Sequence, residues 1–563
     1  SEALNNNLLS KRQKFAERHR EANCQIETIQ VEGVPVNFLR TPDNRYRSFY
    51  LARGDHHLIT SSIALARRFI EASGGMRPLS KSLEFRYARE QMPLDRDDTV
   101  FIFVPSKIWQ KLLDPHYQIE LARRNRSVTD MQIVELAALA AKSEGYDDSS
   151  QDSLVTHGFL PNGFGARPDG SQLHHDGEYW VDSVRGRRGF FVPIADVQMA
   201  GVSEKENDWY RTKREFLNEH LPQLDAMFIA LKRFAHESNV ERVVYDARLA
   251  PFGRDKYAWL FSMLGEPMTH HIVGTPNDLL MVQASLRGGA LNPHTPPHQI
   301  FAAVHNEYQG EIEIKPGSLF KTIDVIRNLP GYIGSWPASG YLDGLPKLGA
   351  EPDVEGFTYS KLLGLWRLQW DQYSAISFDK EQLLSLKQHI KIVPAERPAQ
   401  IRIGVADLAG TNMRNWANTQ SFQRNWESSI ANVRLLNMLV QQFGLPLNDA
   451  RPATESLLDV ELVCPLGGEY QLSENDSRKW WYSTHWPNFA EPTMNDDYTS
   501  AVLKWFRGFQ LELIDSQSQF EVHGFLDVER TGNTMLPSFD VFKGFGNIFG
   551  GKSNAAPADP SDN

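Results

Sequence analysis

Cysteine is nearly missing from this chain of 563 residues, which carries only Cys24 and Cys464. Their separation excludes the CxxC-type zinc and redox motifs, which need closely spaced ligands, and a small disulfide-stapled fold with them. Two free, buried or half-buried thiols are expected, because an unpaired cysteine packs as a small apolar residue. A single long-range bridge is the alternative in an oxidising compartment. Long apolar runs are lacking too; none approaches the roughly 18 residues that cross a bilayer. Positive charge is in short supply, with 59 Lys+Arg against 70 Asp+Glu and a net charge of −11. A nucleic-acid partner, which needs concentrated basic charge, is therefore not expected. No G-x-S-x-G elbow is present and no G-x-G-x-x-G follows a strand, which removes the usual hydrolase and dinucleotide frames.

What is present is a folded composition, 41% hydrophobic and 23% charged, in a chain longer than the roughly 250–300 residues at which one core stops growing. Short extended runs over 34–39, 46–52 and 57–60 read as strands. Ser61 or Ser62 then caps a helix with Ile63, Ala66, Phe69 and Ile70 on one face, stopped by Gly74 and Gly75. The apolar run 99–104 predicts a buried strand, and Ser106 a cap for a helix to Leu113. Thr129 to Gln132 has the form of a capping box opening a helix to Lys142. A similar order returns later, with strands over 363–370 and 373–378 joined at Asp371 and Gln372. An Asp379-capped helix follows, then prolines over 394–398, a strand over 400–405, and helices over 412–416 and 429–443. The echo predicts an α+β fold of antiparallel hairpins packed with helices, built from a duplicated unit.

Between the echoes, a helix over 207–234 bent near Pro222, a strand over 242–249 and a helix over 257–264 are expected. Strands over 509–514 and 519–528 close the fold as a hairpin. The expected organisation is an N-terminal helical segment 1–24, a first half 25–270 with an exposed insertion near 146–180, a second half 271–545, and a flexible tail 546–563. The tail expectation rests on its Gly/Ser/Ala/Pro/Asp composition, which cannot bury enough apolar surface to order itself.

Several clusters could carry chemistry. His174, His175, Asp176 and Glu178, with Asp182 nearby, suggest a metal. Adjacent residues of an extended chain face opposite ways, however, so a solvated loop is the better reading. His294, His298 and His305 are spaced for ligands, but Pro296 and Pro297 oppose the helix that would make them converge. The doublets His56-His57 and His270-His271 receive no role. Arg185, Arg187 and Arg188, with Arg123, Arg124 and Arg126 elsewhere, read as structural ion pairs, with anion recognition as the alternative. Gly163, Gly165 and the glycines from Gly544 to Gly551 are read as loop glycines without a phosphate-binding frame. Trp480, Trp481, Tyr482, His485 and Trp486 read as packing residues, with sugar stacking or partner anchoring as the alternative. No catalytic, cofactor-binding or metal-ligating residue is assigned, and no cofactor is expected.

The order strand, strand, helix from Tyr46, with Asp55 before a strand and Ser61-Ser62 before the helix, resembles an uncharacterised bacterial family known only as a domain of unknown function. Ser82-Leu83-Glu84-Phe85, Arg89, the strand at Val100 and the final strands over 505–528 share in the resemblance. Cys464-Pro465-Leu466-Gly467-Gly468-Glu469-Tyr470 is similar to a C-P-x-G-G-x-Y phrase of exported bacterial proteins, some of them pilin-like. The resemblance implies an exported or membrane-anchored protein in the periplasm or at the cell surface, and supplies no catalytic residues. The expected function is a non-enzymatic structural or binding protein of the bacterial envelope, meeting protein partners or copies of itself through sheet edges and exposed aromatics. The alternative is a glycan-acting hydrolase or carbohydrate-binding protein using the region of Trp480 and Trp486.

Overall fold

The computed structural model describes residues 2–177, 179–220, 225–237, 239–250, 252–253, 262–288, 294–306, 330–344, 352–361, 363–473, 479–486, 493–516 and 519–530. It is 35% helix and 32% strand, with mostly antiparallel sheets packed with helices; this is the expected α+β class, while duplication is not shown. The expected tail over 546–563 and most of the helix expected over 257–264 lie outside the described residues. Among the described residues no helix is long and apolar enough to cross a membrane. The chain gathers into two compact units, 1–93 with 103–226 and 422–493, and 94–102 with 227–421 and 494–563. Each unit thus draws on both stretches expected as halves.

In the first unit, strands Gln25–Val31, Val34–Arg40, Arg47–Arg53 and His56–Thr60 form a meander. Val34, Val36 and Phe38 alternate inward against Phe49, Leu51 and the Ala66 and Ile70 face of helix Ile63–Ser73. Ser62 Oγ caps that helix at Leu65 N, and Asp196 accepts from Ile63 N and Ala64 N, both at 3.0 Å. A carboxylate is favoured there because the first N–H groups of a helix lack internal partners. The expected helix start at Thr129 is overturned: one helix runs Pro115–Ser143, and Thr129 Oγ1 donates back to Asn125 O. The region 146–180 is only partly exposed, since Leu154, Leu160, Leu173 and Trp180 are buried against Met131 and Val134 of that helix.

Glu135 on the same helix has its carboxyl pushed up to about 7 by burial and by the like charge of Asp459, against the pull of Arg188. The folded state therefore holds a proton there that the unfolded chain releases near the ordinary carboxylate pKa. The resulting penalty is absent at pH 4, grows from there to about pH 7 and is full above. Glu135→Gln should raise stability by on the order of 1–2 kcal/mol at pH 8, allowing for solvent screening, and by nothing at pH 4. Thermal melts at the two pH values check this.

The second unit is built on one sheet. Its strand order is Phe357–Ser360, Leu365–Trp370, Tyr373–Ser377, Gly331–Trp336, His298–His305, Asp278–Leu286, Ile401–Val405, Phe506–Asp515, Phe520–Glu529, Val240–Leu249, Met227–Glu237 and Val100–Val104. The closing hairpin is present and sits inside the sheet. Three expectations are corrected. The run at Val100 is an outer strand, with Val100 43% and Ile102 42% exposed. The helix expected over 207–234 ends at His220, and Met227–Glu237 is a strand with Phe228 and Ala230 turned inward. The two helices expected over 412–416 and 429–443 are one, Met413–Phe443.

Register separates the sheet's faces, because directly opposed residues point the same way. Arg402 stands opposite Glu512, Glu512 opposite His523, and His523 opposite Asp246, giving a charged row across four strands. The next row carries Met281, Gly404, Gln510, Phe525 and Val244. On this face pack helix Lys380–His389, capped by Asp379, and the paired strands Met268–Val273 and Lys391–Ala399. The resulting core holds Ile272, Phe301, Tyr332, Leu368, Ala375, Leu383 and Leu386.

Candidate ligand-binding cavity

The strand Met268–Val273 is docked on the sheet by a side-chain amide that imitates a backbone. Gln283 Oε1 accepts from Ile272 N at 2.8 Å and Gln283 Nε2 donates to Ile272 O at 2.6 Å. Arg402 adds donations to Met268 O and Arg397 O, and its own charge is paired with Glu512. At the end of the strand the chain turns through Gly274 and Thr275 onto Asp278. The Asp278 carboxylate accepts from Thr275 N and Thr275 Oγ1, each at 2.8 Å, and from Tyr332 OH at 2.5 Å; His305 Nε2 lies 3.0 Å away. Burial, then the Asp278 charge, pushes the Tyr332 phenol far up, so it stays a donor.

Beside this docked strand lies a cavity of about 490 Å³, lined among others by His271, Met281, Gly404, Gly508, Gln510, Phe525, Arg242 and Asp527. That volume falls within the roughly 300–1,000 Å³ of small-molecule sites. Two glycines lower its floor. A Cβ at Gly404 would meet nothing within 4 Å, and one at Gly508 only ordinary contacts from 3.6 Å. Phe525 supplies a ring, over which the Arg242 guanidinium lies at 3.7 Å, held by two 2.7 Å bonds to Asp527. His271 Nδ1 is buried with no hydrogen-bond partner. Burial, then the nearby Arg402 charge, holds this imidazole below its ordinary pKa, so at neutral pH it is uncharged.

These groups can hydrogen-bond and stack, but they do not form a nucleophile with its base. Thr275 Oγ1 lies 3.1 Å from His305 Nε2, the same nitrogen that faces Asp278. A relay would need the acid on the opposite ring nitrogen, and His305 Nδ1 is buried without a partner. Of this node, Thr275 and Asp278 line the cavity.

The residues singled out from sequence fall elsewhere. His174, His175 and Asp176 are exposed on a short hairpin, and no metal-holding group of His, Cys, Asp and Glu exists among the described residues; Glu178 lies outside them. His298 and His305 sit at opposite ends of one strand, about 23 Å apart by strand rise, and His294 is exposed. His57 Nδ1 meets Tyr50 OH at 2.9 Å, while His270 is exposed.

Arg185 is a structural ion pair. It is 1% exposed, binds Glu120 through two bonds of 2.8 and 2.9 Å, and also meets Asp169, Asp182 and Ser171. Arg123 holds Glu206 and the carbonyls of Ala200 and Gly201. Arg124 pairs with Glu120 and Arg126 with Asp130. Arg188 donates to Leu457 O and Leu458 O at the end of helix Ala450–Leu458, where the last carbonyls lack partners. Arg187 lies over the Tyr179 ring.

The tryptophans do not form an open platform. Trp481 and Trp486 are buried, their indoles donating to Leu447 O and Ser429 Oγ. Both cysteines are free and buried. Burial pushes the Cys464 thiol up, but hydrogen bonds from Ser429, Ser483 and the backbone of Leu466 and Gly468 outweigh it, leaving the thiol below its ordinary value. Gly467 turns with positive φ, and Gly467 N donates to Cys464 O, so the C-P-x-G-G-x-Y phrase is a turn. Residues 546–553, Gly-Asn-Ile-Phe-Gly-Gly-Lys-Ser, have the G-x-x-x-x-G-K-S spacing of a P-loop. The reading of Gly544 to Gly551 as frameless loop glycines missed that spacing, which lies outside the described residues.

Sequence reasoning missed the cavity almost entirely. His271 was in view as half of a doublet, but Gly404, Phe525 and Arg242 carry no local signal that would single them out. Compared with protein-family models, curated proteins and solved structures, the chain matches none.

Proposed function

We propose that the chain is a non-enzymatic binding protein whose cavity takes a neutral, polyhydroxylated small molecule such as a sugar, in the bacterial envelope as its family resemblance implies. The supporting observation is the pairing of charge around the cavity. Arg242 is neutralised by Asp527, Arg402 by Glu512 and Arg507 by Glu529, so an anionic ligand finds no unmatched cation among the described lining residues. Paired planar groups still present lone pairs and N–H groups, which suit hydroxyls that donate and accept together. Phe525, with the Arg242 guanidinium over one face, adds an apolar element to the lining against which the C–H groups of a sugar can pack. The reading keeps the carbohydrate-binding alternative but moves it from the buried tryptophans to the sheet.

Calorimetry against a panel of mono- and oligosaccharides tests the reading, with Gly404→Leu as the control. Because a side chain at 404 meets open space, this substitution should leave the melting temperature within about 2 °C while filling the cavity and weakening binding at least tenfold. Absence of binding across the panel, or binding that Gly404→Leu leaves unchanged, contradicts the proposal.

A further inference from the structure

We infer that the outer strand Val100–Val104 is the seam of a symmetric homodimer, formed by antiparallel pairing of two copies about Ile102. The strand ends the sheet, with Met227–Glu237 on one side and no strand among the described residues on the other. Thr99 N donates to Leu231 O across the paired edge. Backbone direction alternates along a strand, so the N–H and C=O groups of Val100, Ile102 and Val104 face away from that neighbour.

The sequence of the strand, Val-Phe-Ile-Phe-Val, reads the same in both directions. A two-fold axis through Ile102 therefore sets Ile102 against Ile102, Val100 against Val104, and Phe101 against Phe103. The central residue of such a pair must be one whose backbone faces outward, and Ile102 meets that condition. The three outward residues of each copy would exchange about six backbone hydrogen bonds. Val100 and Ile102 are 43% and 42% exposed, and in this register they gain apolar cross-strand neighbours.

Beyond Val104 the strand gives way to Pro105 and the helix Lys107–Leu112, so the pairing is confined to the five strand residues. No proline or charge interrupts the five residues, although natural edge strands commonly carry one to block such pairing. A shared surface used by both partners is what a two-fold interface requires.

Sedimentation of the full chain from about 1 to 200 µM should show monomer passing to dimer, as a small interface of this kind predicts. Ile102→Lys, which sets two like charges face to face, should weaken the dimer at least tenfold while circular dichroism stays unchanged; Ile102→Val should retain it. A chain that remains monomeric at about 200 µM, or a dimer indifferent to Ile102→Lys, overturns the inference.

Discussion

Arg185→Met should cost the folded chain about 3–5 kcal/mol, a large share of the roughly 5–15 kcal/mol that separates folded from unfolded domains. The loss arises from what stays behind. Glu120 and Asp182 are buried, and Asp169 nearly so. Removing the guanidinium leaves Glu120, Asp169 and Asp182 to Arg124, Arg123 and Arg167, of which Arg123 and Arg167 also serve Glu206 and Asp130, in a site that water reaches poorly. Asp169 shows how strongly the network favours ionised carboxylates. Burial pushes it up, yet its bonds from Arg185 and Ser171 bring it down to about 2. Asp182 and Glu206 are also held below their ordinary values, Asp182 against the push of burial and Glu206 chiefly by its bond from Arg123.

The sign follows from these directions. The stability these carboxylates supply is fully present above their unfolded pKa near 4 and is lost as the pH falls from there toward 2. Denaturant unfolding of wild type should weaken over that range, whereas Arg185→Met should already be weak at pH 7 and show a shallower acid dependence. A variant within about 0.5 kcal/mol of wild type at pH 7 would show that the network does not stabilise the loop it ties to helix Pro115–Ser143.

Phe301→Ala should be comparably damaging, at about 3–5 kcal/mol, because its fully buried ring lies at the centre of the second unit's core. Its environment makes the prediction more specific. Phe301 stands opposite Gly334 on the neighbouring strand, and its ring occupies the space where a Cβ at 334 would go. Gly334→Ala should therefore destabilise wild type through a direct clash. In the Phe301→Ala background the ring is gone and the same change should be neutral or mildly stabilising, since it fills part of the void. Additive losses in the four-variant cycle, with coupling below about 0.5 kcal/mol, would contradict the packing described.

The elements legible in the sequence are those whose signals are local. The Asp379 cap, the turn at Asp371 with its positive φ, the Ser62-capped helix and the closing hairpin each depend on residues within a few positions. Errors came where tertiary contacts override local preference. Thr129 resembles a cap but sits within a 29-residue helix held on one side by Met131, Val134 and Ala137. Pro394 and Pro398 suggest a break, yet they lie in strand Lys391–Ala399, whose only strand partner among the described residues is Met268–Val273. An edge strand tolerates missing N–H groups.

The cavity was hidden for a related reason. Gly404, Gly508, Phe525 and Arg242 come from four strands spread over nearly 300 residues, and only their register brings them to one face. Arg185 could be read as an ion pair from its residue type. Its partners Glu120, Asp169 and Asp182 could not be chosen from the chain's 70 acids without the fold.

The most direct test of the binding account is a crystal structure of the full chain soaked with the tightest-binding sugar from the panel. The account predicts ligand density beside the Phe525 ring, with hydroxyls within hydrogen-bond reach of Arg242, Asp527 and Gln510. Ligand found elsewhere, with the cavity holding only water at saturating sugar, would contradict it.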